Sequence, residues 1–134
     1  MIPTPAFVAE RHALLRLRIS ALLEAKSRGT ETLQAALTSF IEAVEAHLML
    51  DIHFGRRLLR RERDAARRAK IVEMLEEQGR FSIHFDTFSR KWRRAEGDAL
   101  GGQAFVDDVE SMVALLMHRI KTEQRIAALV ANIA

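Results

Sequence analysis

Cysteine is absent from the 134 residues, which excludes disulfides and thiolate metal sites. Proline occurs only twice, both times before residue 6, so no ring interrupts a helix in the rest of the chain. No stretch alternates polar with apolar residues for long, which leaves no strand pattern. No wholly apolar run is longer than that of residues 112–117, far too short to span a membrane. The N-terminus has no basic region followed by an apolar stretch, so no secretory signal is expected and a cytoplasmic protein is the default. The net charge of +3, from 21 basic and 18 acidic residues, is too small to demand an acidic partner. Neither a Ser-His-Asp arrangement nor a glycine-rich phosphate loop is present.

What is present is a helical composition. Apolar residues make up 49% of the chain, and Ala, Leu, Arg and Glu dominate. The length suits a single domain over residues 1–134 with a proper core. The first helix starts at Thr4-Pro5, a capping hydroxyl followed by proline at the first helical position, and runs to about Lys26. Val8, His12, Leu15, Ile19 and Leu22 form its apolar line. Residues 27–30 are a turn with Gly29 as the helix stop. The second helix spans about 31–60, with Gly55 as a weak point. A basic run over residues 56–70, interrupted by Glu62 and Asp64, must contain the next turn, though no glycine or proline marks it. The third helix covers about 65–94, with Ala69, Val72 and Leu75 inward in its first half, a kink at Gly79 and a restart near Ser82. Residues 96–102 form a loop. The fourth helix runs from Gln103 onward along Val106, Val109, Val113, Leu116, Ile120, Glu123, Ala127 and Val130. The expected fold is all-α, an up-down-up-down antiparallel four-helix bundle.

The second helix carries the chemistry. Leu33, Leu37, Phe40, Val44, His47, Asp51, Phe54 and Leu58 recur at helical spacing and define one face. A histidine and an aspartate therefore lie on the core line, where an unpaired carboxylate is costly. A metal ion is the simplest partner that satisfies both. His12, His47, His84 and His118 are separated by 35, 37 and 34 residues, read from their positions, about one helix plus one turn each. On that spacing they can meet in one layer with Asp51 and Glu123. Such a nitrogen and oxygen set suits iron or zinc, and the ligand count suits two ions sharing bridging carboxylates. A single core histidine is ordinarily a hydrogen-bonded structural residue; it is the one-per-helix recurrence that points to metal. His53 falls off the core line and reads as a rim residue.

These residues resemble the hemerythrin-like (HHE) cation-binding family, four-helix bundles with a non-heme di-iron centre. His12 matches the family's histidine on the first helix, and His47 with Asp51 matches His-x-x-x-Glu with Asp in place of Glu. His84 matches a histidine on the third helix, and His118 with Glu123 the histidine and carboxylate on the fourth. The resemblance implies metal ligands His12, His47, Asp51, His84, His118 and Glu123, two Fe ions with Zn or Mn as substitutes, and O2 or NO as the small ligand. Phe88 stands where oxygen carriers place a second histidine on the third helix, so the likeness is to sensor, stress or repair members. Phe81, Phe85 and Phe88 read as core that can also wall a ligand pocket. On a regular helix His118 lies about 140° from Glu123, so both ligate only across a π-bulge.

The expected function is thus sensing or buffering of a small ligand at a di-iron centre, not catalysis. A catalytic use would be peroxide removal or nitrosative-damage repair. The alternative is a metal-free bundle that contacts protein or nucleic acid through residues 56–70. Nucleic acid is disfavoured, because Glu62 and Asp64 break the run and no aromatics for base stacking accompany it.

Overall fold

A computed structural model describes residues 5–25, 27–95 and 97–131, and no strand occurs among them. Four α-helices follow one another: α1 (Pro5–Ala25), α2 (Thr30–Arg61), α3 (Ala65–Trp92) and α4 (Gln103–Ala131). Thr4, expected to cap α1, and Lys26, its expected end, lie outside the described residues, as do the side chains of Val8 and Val130. Each helix packs on the next, and α4 packs back on α1, giving a helical bundle. No helix among the described residues is long and apolar enough to cross a membrane.

Gly29 has φ 101°, in the left-handed region that glycine occupies without a Cβ clash, and its carbonyl accepts from Leu33 N–H at 3.0 Å to open α2. The turn between α2 and α3 occupies residues 62–64, within the basic run, and is built by its two acidic residues. Asp64 accepts from Arg67 N–H at 3.0 Å as the N-cap of α3. Glu62 Oε1 accepts from the backbone N–H groups of Arg63 and Asp64 and pairs with Arg67 at 3.1 Å. Arg68 reaches back to the carbonyls of Leu59 and Glu62 at the end of α2.

The structure departs from the expected pattern at four points. α3 is one helix through Gly79 and Ser82, with neither a break nor a restart. Its buried face is Ile71, Met74, Gln78, Phe81, Phe85, Phe88 and Trp92, while Ala69 and Val72 are exposed and Leu75 only half-buried. Residues 96–102, expected as loop, contain a short 3-10 helix (Gly97–Gly101) whose Leu100 plugs the main core. Gly55 is also more than a weak point: a Cβ there would run into Leu75 of α3, so the glycine permits the close approach of α2 to α3.

The apolar interior falls into two clusters. The larger joins Leu15, Ile19 and Leu22 of α1 to Phe40 and Val44 of α2, the aromatics of α3, and Phe105, Val109 and Leu116 of α4. The smaller contains Phe54, Leu58, Ile71, Met74 and Ile126.

Candidate metal centre

Between these two clusters lies a layer of buried polar side chains. All eight residues of the α2 line from Leu33 to Leu58 are buried, so His47 and Asp51 face inward between Val44 and Phe54. His12 extends the α1 line just before Leu15, and Glu123 sits on α4 between Ile120 and Ile126. Gln78 on α3 and Arg119 on α4 complete the layer. Helical spacing puts each on a core-facing stripe, and the apolar residues above and below hold it there.

Two histidines converge on one oxygen. His12 Nε2 donates to Glu123 Oε2 at 2.7 Å, and His47 Nε2 donates to the same atom at 2.9 Å. The two rings meet edge-on, with centroids 5.2 Å apart. Asp51 Oδ2 lies 3.0 Å from His47 Nε2, one helical turn away, yet has no hydrogen bond of its own. A single ring proton cannot serve both carboxylates well, and Oδ2 is left buried and unsatisfied. Glu123 Oε1 accepts from Arg119 Nη2 at 3.1 Å, and Arg119 Nη1 donates to the Met74 carbonyl of α3 at 3.2 Å.

Charge and burial compete here. Burial opposes ionisation of Glu123, but hydrogen bonds from Asp51, His12 and His47 outweigh it and hold its carboxyl well below the usual carboxylate range. Burial, followed by the hydrogen bond to Glu123, pushes Asp51 up to about 8. Burial pulls His47 down, but the carboxyl of Asp51 beside it and that of Glu123 reverse this and lift it to about 9. Burial and the neighbouring acidic groups thus favour the protonated forms of both Asp51 and His47 in the metal-free layer.

The donor set fits a metal ion. Ligand atoms from His12, His47 and Glu123 all lie within 4.8 Å of one another, and all three residues are buried. Adjacent ligands on one ion, each bound at about 2.1 Å, are about 3 Å apart. The observed spacings of 2.7, 2.9 and 3.0 Å approach that value. Two imidazoles and one carboxylate are the donor set of non-heme ferrous sites, and also serve zinc. The orphaned Asp51 Oδ2 is a further oxygen donor at hand. His12 Nδ1 has no acceptor among the described residues, so packing rather than an outer hydrogen bond orients that ring.

Of the six ligands expected from the sequence, four meet in this layer: His12, His47, Asp51 and Glu123. His84 and His118 do not. His118 is at the right height on the wrong side: α4 is regular α-helix throughout, without the π-bulge that would turn His118 toward Glu123, and the ring is exposed. His84 is exposed and lies too far along α3. Gln78 is about as far past the turn at residues 62–64 as His47 is before it, and His84 is six residues, about 9 Å, further on. Gln78 Nε2 donates to the Leu48 carbonyl of α2 at 3.4 Å, which fixes the level of α3 in the layer. His84 and His118 instead line an open groove with Phe81, Leu115 and Arg119. Phe81, Phe85 and Phe88 are core: Phe81 and Phe85 stack at 6.2 Å, and Phe88 meets Phe40 edge-on. His53 is exposed, as its position off the core line implied.

Arg119 is a site residue that the expected α4 line leaves out, although helical spacing alone could have placed it. Met112, Leu116, Arg119, Glu123 and Ile126 follow one another at steps of four and three, so Arg119 belongs to the core line. Comparison with protein-family models, curated proteins and solved structures finds no match to this chain.

Proposed function

We propose that this chain is a hemerythrin-like, up-down-up-down antiparallel bundle that holds non-heme iron at His12, His47, Glu123 and Asp51 and binds a small ligand such as O2 or NO there. One observation carries the reading: two Nε2 atoms and a carboxylate oxygen, from α1, α2 and α4, converge in a buried layer beside an unsatisfied carboxylate oxygen. A purely structural layer has no need to bury two carboxylates and two histidines around one point. The three-residue turn between α2 and α3 and the closed ring of helix contacts support the antiparallel arrangement.

Iron, when bound, would supply the affinity for a diatomic ligand. The chain supplies the rest. His12, His47 and Glu123 bind, and Arg119 orients Glu123 by holding its other oxygen. Asp51, whose Oδ2 has no hydrogen bond of its own, would be a second carboxylate donor to that ion. The apolar clusters on either side exclude water. Sensing or buffering of O2 or NO in the cytoplasm suits such a centre, with zinc or manganese as substitute metals.

Anaerobic loading followed by metal analysis tests the proposal. The wild-type chain should take up Fe2+ and change its absorption when NO is added, and His47→Ala should lose both. A folded wild-type chain that takes up no Fe, Mn or Zn would overturn it.

A further inference from the structure

Glu123 divides its two oxygens between two kinds of partner. Oε2 faces the two histidines, and Oε1 faces Arg119. In a dinuclear site with a bridging carboxylate, each oxygen serves one ion. From this geometry we infer that the centre is built for a single ion, and that the Arg119 guanidinium occupies the place of a second. The inference rests on the metal-binding reading above.

Arg119 is well suited to that position. It is 4% exposed, and its guanidinium is anchored on two elements, by Glu123 Oε1 on α4 and by the Met74 carbonyl on α3. Glu77 Oε2 faces the same guanidinium at 4.0 Å. Its positive charge is permanent, and a guanidinium offers five N–H donors and no lone pair to a metal. A lysine or histidine could lose a proton and become a ligand; an arginine cannot. The residues that would complete a second site are also kept out. His84 and His118 are exposed, in the groove that Arg119 helps to line, while His12 and His47 are buried. The four inward donors, two imidazoles and two carboxylates, are enough for one ion and too few for two.

A single ion sets a chemical limit. One iron can bind O2 or NO, but it offers no second metal to share charge with the ligand.

The experiment is anaerobic Fe2+ titration of the full chain, reading iron bound per chain, with electron paramagnetic resonance of the NO-treated protein. One iron per chain, with the half-integer spin of an isolated iron–nitrosyl, is the expected result. Two irons per chain, or a spin-coupled pair, would overturn the single-ion inference and leave the metal reading standing. No iron at all would overturn the metal reading and this inference with it. Arg119→His removes the fixed charge and sets an imidazole one turn before Glu123; it should raise the capacity to two ions per chain. If that variant folds and still binds one, the guanidinium is not what limits the site.

Discussion

His12 and Glu123 are separated by 111 positions in the chain and meet at 2.7 Å, with the histidine ring fully buried. That contact closes the bundle chemically as well as mechanically, because it joins the first helix to the last through the atom that His47 also uses. The consequences for stability and binding can be tested separately.

Glu123 and Arg119 should be strongly coupled. Glu123→Leu leaves Arg119 buried without its carboxylate, and breaking a buried pair in this way costs about 3–5 kcal/mol. The double variant Arg119→Met with Glu123→Leu leaves no guanidinium without its carboxylate and should be more stable than Glu123→Leu alone. Urea unfolding of the metal-free variants measures this; strict additivity of the two single changes would show that the pair is not coupled.

The metal-free chain should lose stability as pH rises. His47 and Asp51 hold protons more tightly folded than unfolded, at about 9 and about 8 against ordinary values of 6.5 and 3.8. Their contributions are therefore fully present below the unfolded values and lost as pH climbs through the folded ones. Glu123 acts in the opposite direction, since its lowered value stabilises the fold only above the ordinary carboxylate range. After chelation, the urea midpoint should be higher at about pH 6 than at about pH 10, by a difference on the order of a few kcal/mol in stability. His47→Ala should flatten that slope. Metal binding should show the reverse trend, tightening as pH rises, because the ion displaces the same protons.

Asp64→Ala tests the turn. It removes the side-chain cap on Arg67 N–H and should cost about 1 kcal/mol while leaving metal content unchanged. If thermal unfolding is unaltered, residues 62–64 are held by the Glu62 and Arg68 contacts alone.

Gly55→Ala tests the close packing of α2 on α3. Alanine is the better helix former by roughly 1 kcal/mol, but its Cβ collides with Leu75, so the change should be net destabilising. In a Leu75→Ala background the same substitution should become stabilising. A stabilising effect in both backgrounds would mean that Leu75 simply moves aside.

The pattern of what could be read from the sequence follows from one physical fact. The α2 line was legible because large apolar residues, Phe40, Val44, Phe54 and Leu58, fix the helical phase on both sides of His47 and Asp51. The first half of α3 was misread because its true stripe, Ile71, Met74, Gln78 and Phe81, is continuous only if a glutamine is allowed inside. Arg119 was hidden for the same reason. A reader of patterns assigns Gln and Arg to the surface, and they break the line exactly where the site lies. Even histidine spacing was a partial guide: it found His12 and His47, but the length of a turn cannot be read closely enough to place His84, and helical phase excludes His118.

The division of the core into two apolar clusters by a polar layer also governs alignment. Four apolar stripes can slide past one another by whole turns at little cost, since one leucine is much like another. Here a slide of α4 along its neighbours would part Glu123 from His12 and His47, and Arg119 from the Met74 carbonyl, and strand their charges in hydrocarbon. The layer thus works as an index mark, fixing the register of the four helices in the way that a lone buried polar residue does in a coiled coil.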